Sequence, residues 1–153
     1  MAIDITFILI LAAAVVTGLL AGVSLAKSIV QLPARHRMGI VGFAAFSRAA
    51  DLGNGLIVYP ILGISAALST FLQDTSLAHA LPLYISALLA LLHSVTTARA
   101  APNMLSLRQP TSDEVKLTET LNRFARWHNL RAILQLLNFI MLVWSAVAYF
   151  NTL

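Results

Sequence analysis

Cysteine is absent from the 153 residues, which excludes a disulfide framework and any thiolate metal site. Charge is scarce. Only 10% of residues are Asp, Glu, Lys or Arg, where a soluble domain carries roughly a quarter. Acids are the rarest charged type, six against ten Lys and Arg, for a net charge of +4. There is no glycine-rich phosphate loop, no HExxH and no Ser-His-Asp spacing, so the common nucleotide, zinc-protease and serine-hydrolase signatures are missing. No internal repeat and no low-complexity segment occurs. What remains is 59% hydrophobic with a mean hydropathy of +0.84. That composition is one compact membrane domain, 1–153. Its basic residues concentrate in loops and helix ends, which reads as membrane topology rather than a nucleic-acid surface.

The predicted class is all-α: an integral membrane four-helix bundle with spans at 3–26, 52–72, 81–98 and 129–150. The first run is too long, and its start too poor in basic residues, for a signal peptide. It carries Ala14, Gly18, Gly22 and Ala26 at every fourth position, a strip of small residues that lets another helix approach. A homo-oligomer through the Gly18/Gly22 face is one expectation from it. Residues 27–38 read as a basic connection broken by Pro33. The apolar stretch 39–71 would measure about 50 Å as one straight helix, against a hydrocarbon core of about 30 Å. It must project or bend, and Gly53-Asn54-Gly55 and Pro60 are the expected bends. Residues 73–80 form a short turn without Lys or Arg. The second basic connection covers 99–112. Thr111 and Glu114 then have capping-box spacing at the start of a last helix that overshoots the bilayer. Helices 2 and 4 are thus expected to extend beyond it on the cytosolic side, packing there against each other.

The positive-inside rule puts 27–38 and 99–112 in the cytosol and both termini outside, in a bacterial inner membrane or the endoplasmic reticulum. Polar side chains then collect at one depth. Thr17 and Ser24 lie on helix 1, Arg48, Asp51 and Asn54 on helix 2, and His93, Thr96 and Thr97 on helix 3. On helix 4, Phe124, His128, Arg131, Gln135 and Asn138 are spaced four, three, four and three apart, which is one helical face. Polar groups this deep are costly unless they face protein or a cavity. Four helices contributing to one level predict a pocket open toward the cytosolic leaflet. Two histidines and one acid are too few for a metal site of fixed geometry, so none is assigned. The set suits proton abstraction, with His128, His93 or Asp51 as base and Arg131 as the cation for a developing oxyanion. An apolar pocket of this kind would admit a small, flat aromatic substrate from membrane lipid.

The Phe124-x3-His128-x2-Arg131 motif at the head of the last membrane helix resembles the closing motif of small four-helix membrane proteins grouped with fungal anthrone oxygenases. In that family an aromatic, usually Trp, precedes His or Asn and then Arg. Here it is Phe124, with Trp127 nearby. Ala101-Pro102-Asn103 is similar to a Pro/Asn segment of the family. The resemblance implies oxidation of an anthrone-like polyketide or phenolic substrate by O2, without flavin, haem or metal. The site expected from all this comprises His128, Arg131, His93 and Asp51 as catalytic groups. Arg48, Asn54, Asn103, Trp127, Gln135 and Asn138 are the expected substrate contacts. Three rival readings stand beside it: a non-catalytic accessory or binding subunit, a metal-dependent oxidase using His93 and His128, and a small transporter. The last is opposed by the lack of a polar path in the outer half.

Overall fold

The computed structural model describes residues 5–71 and 80–151, and among these residues every regular element is helical. The helices are α1 (Ile5–Ala26), α2 (Leu32–Met38), α3 (Ile40–Ala50), α4 (Gly55–Phe71), α5 (Ala80–Leu105) and α6 (Glu114–Phe150). Three helical runs are long and apolar enough to cross a membrane: Ile5–Met38, Leu81–Arg108 and Glu114–Phe150. A fourth candidate is broken, with Ile40–Ala50 and Gly55–Ala66 meeting at 66°. Large apolar side chains such as Val15, Leu19, Leu88, Val95, Ile133 and Val147 point outward along these helices. An apolar surface of that extent is out of place in water and compatible with an integral membrane protein. The end of the expected second span at 72, most of the expected turn at 73–80 and the start of the expected first span lie outside the described residues.

Four sequence expectations are corrected. Residues 27–38 are not a loop, because the first helix continues to Met38 through one π-helical turn, Lys27–Gln31. The Leu32 N–H reaches back to the Lys27 carbonyl, five residues away. Proline lacks an N–H and its ring crowds the carbonyl four residues behind. The widened turn just ahead of Pro33 accommodates both, and Pro33 takes the tolerated first turn of α2. The second basic connection is also mostly helical. α5 runs through Pro102 to Leu105 and closes in a 3-10 turn, Ser106–Arg108. Ala100, Met104 and Leu107 recur at spacings of four and three and are buried, so an apolar face continues where a loop was expected. The α3–α4 break falls at Asp51–Asn54 as expected, whereas Pro60 sits inside α4. The cap of α6 is Asp113, whose Oδ1 accepts from the Lys116 N–H at 3.0 Å, and Thr111 instead supports Asp113.

α6 packs against α5 and α1, while α4 packs against α1 and α5. Along this assembly two apolar layers enclose a polar one. At the basic end Leu32, Phe43, Met104, Leu107, Leu117, Leu121 and Phe124 form one cluster. The first turns of α6 do pack against α3 there, tied further by Arg35 Nη1 donating to Asn122 Oδ1 at 2.9 Å. At the opposite end Ile10, Ala146 and Tyr149 cluster, with Ala13, Ala14, Leu83 and Leu142 beside them. Thr17, Ser24, His93, His128, Gln135 and Asn138 are buried between. Of the small-residue strip, Gly18 seats the Phe139 ring of α6, which a Cβ would meet at 2.9 Å, whereas Gly22 faces open space.

The α2–α3 corner depends on Gly39, at φ 73° and ψ 158°, a region essentially closed to residues with a Cβ. Gly39→Ala is expected to destabilise the protein by about 1–3 kcal/mol in a detergent melt. Gly22→Ala, helical and unobstructed, should be neutral or stabilising by up to ~1 kcal/mol. Equal melts for the two variants would contradict this assignment.

Candidate functional site

The polar face of α6 is legible turn by turn. His128 is 1% exposed. Its Nε2–H donates to the Ser24 carbonyl of α1 at 3.1 Å, and its Nδ1 lies 2.6 Å from Arg131 Nη2. A guanidinium only donates, so Nδ1 must carry the lone pair and the ring is the neutral Nε2–H tautomer. The Phe124 ring stacks on it, centroids 5.3 Å apart. His128 is therefore engaged on both nitrogens, and it aims the guanidinium. Arg131 Nε has no hydrogen-bond partner. One turn on, Gln135 is buried with its Oε1 unpartnered. Asn138 instead accepts from Ser86 Oγ of α5, an interhelical bond.

His93 of α5 is 3% exposed, and its Nδ1 has no partner. The hydroxyls around it are not free donors. Ser94 donates to the Ala90 carbonyl at 2.8 Å, and Thr96 and Thr97 both donate to the His93 carbonyl, at 2.7 and 2.9 Å. This back-bonding is the usual way a membrane helix satisfies Ser and Thr.

The fourth contribution comes from the two irregular places in the backbone. The π turn presents Lys27, only 4% exposed, and the α3–α4 break presents Asp51, 5% exposed. Lys27 Nζ and Asp51 Oδ1 form a buried ion pair. The ammonium also lies over two rings, 5.1 Å from the Phe124 centroid and 5.8 Å from that of Tyr59. The α3–α4 break beside Asp51 depends on small residues. A Cβ on Gly53 would run into the Ala49 carbonyl oxygen, and one on Gly55 would meet the Tyr59 ring at 2.8 Å.

These groups line one cavity of about 490 Å³, within the usual range for small-molecule sites. Its walls are mainly apolar, including Leu20 and Val23 of α1, Leu52, Leu56, Pro60 and Ile64 in and just before α4, and Met104 and Leu105 of α5. Lys27, Asp51, Tyr59, His93, His128, Arg131 and Gln135 supply the polar groups. Most of the exposed lining side chains, Leu56, Pro60, Ile64, Ser94 and Leu105, belong to α4 and α5, so the cavity opens sideways between those helices.

No protein-family model, curated protein or solved structure matches this chain. The site stands on its own geometry.

Of the ten residues expected from the sequence, the cavity brings together Asp51, His93, His128, Arg131 and Gln135. The other five do not line it. Trp127 faces outward at 36% exposure, and Asn54 is exposed on the break. Asn103 donates back to the Arg99 carbonyl within α5. Asn138 lies off the cavity with its Oδ1 on Ser86 and its Nδ2 unpartnered, and Arg48 is half-buried on α3 with an unpartnered Nη1. The expected pairing of Arg48 with Asp51 is replaced by Lys27, because Asp51 continues the buried face of Phe43 and Ser47 on α3 while Arg48 lies beside that face, half-buried. Lys27 and Tyr59 were missed as site residues. Thr17, Leu20, Ser24 and Lys27 recur at spacings of three, four and three, a buried face continuing past the supposed end of the helix. Tyr59 carries no comparable signal. Among the described residues no group of three or more His, Asp and Glu side chains converges for a metal ion.

Removing one partner of a buried ion pair strands the other charge and typically costs about 3–5 kcal/mol, whereas replacing both by apolar groups is far milder. Lys27→Met and Asp51→Leu should each lower the melting temperature strongly, and Lys27→Met/Asp51→Leu should recover most of the loss. Additive losses in that cycle would show that the two side chains do not interact.

Proposed function

We propose that the chain is a four-helix integral membrane enzyme, a cofactor-free oxygenase for an anthrone-like or related enolisable aromatic substrate. The observation that carries this reading is a histidine, His93, lining the same apolar cavity as a guanidinium held in place by a second histidine. The lateral opening between α4 and α5 suits a lipophilic substrate arriving from the membrane. The basic residues Arg35, Arg37, Arg99, Arg108, Lys116, Arg123 and Arg126 belong to helices that share the apolar cluster at one end, and this end is assigned to the cytosolic side with both termini outside. α2, α3 and the head of α6 then project from the hydrocarbon.

In the proposed reaction His93 removes one proton from the ring CH2 of the substrate, and the conjugate carbonyl becomes an enolate oxygen facing Arg131. The carbanion reduces O2 and forms a C–O–O⁻ adduct. Protonation by the His93 imidazolium gives the hydroperoxide. Loss of the second ring proton with cleavage of the O–O bond yields C=O and releases water. One CH2 and one O2 become one C=O and one H2O. His128 is a positioning residue here, since its lone pair is taken by Arg131. The family that the motif resembles uses His or Asn at this position, and an Asn oxygen accepts from a guanidinium equally well.

With purified protein in lipid nanodiscs, anthrone should drive oxygen uptake and quinone formation. His93→Ala is expected to lower kcat by about 10²–10⁴-fold, and Arg131→Gln by about 10²-fold or more. His128→Asn should retain activity within about tenfold of wild type, since it preserves the acceptor for Arg131. Absence of turnover, or full activity in His93→Ala, would refute this assignment.

A further inference from the structure

We infer that the cavity is built to receive a lipophilic monoanion, whose negative charge completes an otherwise unbalanced set of buried charges. This rests on the proposed reading for the identity of the site and adds the charge state of what fills it. Lys27 and Arg131 bring two cations to the cavity, and Asp51 brings one anion. Asp51 is committed to Lys27. Among the described residues no carboxylate pairs with Arg131, whose one polar partner is the neutral Nδ1 of His128. Its Nε is buried and makes no hydrogen bond. Both histidines add no negative charge. A guanidinium cannot shed its proton to escape burial, so the deficit persists until an anion arrives.

The surroundings restrict which anion fits. A free inorganic ion would have to cross an apolar mouth. The hydroxyls of Ser94 and Thr97 there donate to their own helix and offer an entering anion nothing. Leu56, Ile64 and Leu105 at the same opening favour an apolar body. The ligand that satisfies both ends has one carboxylate, phenolate or enolate oxygen for Arg131 and a flat or chain-like hydrocarbon remainder. Electrostatic attraction inside a low-dielectric cavity is strong, so the charged form should be selected over a neutral compound of equal shape.

The test uses the full chain in neutral phosphatidylcholine nanodiscs, with empty nanodiscs as the reference for partitioning. Binding of 9-anthracenecarboxylate is compared with that of 9-anthracenemethanol, and palmitate with hexadecanol. At least one carboxylate should bind roughly tenfold or more tightly than its neutral counterpart. The pair that shows the difference identifies an aromatic or an aliphatic source. Arg131→Gln should abolish the preference, and Arg131→Lys, which keeps the charge, should retain it. Equal binding of charged and neutral forms in both pairs would overturn the inference, as would a preference that survives Arg131→Gln. The assay has no oxygen step. Anion preference without oxygen uptake would refute the oxygenase reading alone, and oxygen uptake without anion preference would refute this inference alone.

Discussion

The ion pair between Lys27 and Asp51 sets the terms for the rest of the structure. Two full charges withdrawn from water are expensive, and more so in a chain compatible with a membrane interior. They are tolerable only when each is held against the other. Both sit at irregular backbone, the ammonium on a π-helical turn and the carboxylate at a break between two helices. Each still continues a buried helical face, Lys27 that of Thr17, Leu20 and Ser24 on α1 and Asp51 that of Phe43 and Ser47 on α3. The pair joins α1 to the α3–α4 corner and keeps the floor of the cavity polar.

Above that floor the division of labour follows from hydrogen-bond capacity. His128 gives its N–H to Ser24 and its lone pair to Arg131, so it is exhausted as a base and effective as a brace. His93 retains an unpartnered nitrogen, and Arg131 retains an unpartnered N–H. With Gln135, whose Oε1 is also unpartnered, they belong to the residues that line the cavity. Asn138 accepts from Ser86 and so ties α5 to α6, while its Nδ2 makes no hydrogen bond. One face of one helix therefore contains a brace, a free cation and a structural tie, distinguished only by what the neighbouring helices place opposite them.

That distinction explains what could be read beforehand. The line from Phe124 to Asn138 was legible because a helix has a fixed period and the flanking residues are apolar. Burial of His93 followed from its position in an apolar run. Lys27 carries no site signal in the sequence, because Pro33 marks a helix end and a lysine ahead of it suits lipid headgroups. The buried face of α1 carries on through it nonetheless. Arg48, Asp51 and Asn54 share a helical spacing, but Asp51 belongs to the buried face of Phe43 and Ser47, and the break that follows it leaves Asn54 exposed. The apolar spacing of Ala100, Met104 and Leu107 signals helix, but the basic residues and Pro102 around it favoured a loop. Pair partners across helices, such as Lys27 with Asp51 and Ser86 with Asn138, leave no periodic trace in a single chain.

The most direct measurement of this account is the distance from Lys27 Nζ to Asp51 Cγ in a lipid bilayer. The sequence contains two lysines, Lys27 and Lys116, so a Lys116→Arg variant leaves a single one to label. Dipolar recoupling by solid-state NMR, with 15N-lysine and 13C-aspartate, then reads that contact in isolation. Strong dephasing of the lone ammonium, at a separation of about 4 Å or less as a paired ammonium and carboxylate require, is the expected result. An undephased signal would mean that Lys27 reaches for the membrane surface instead, and the cavity as described here would lose its floor.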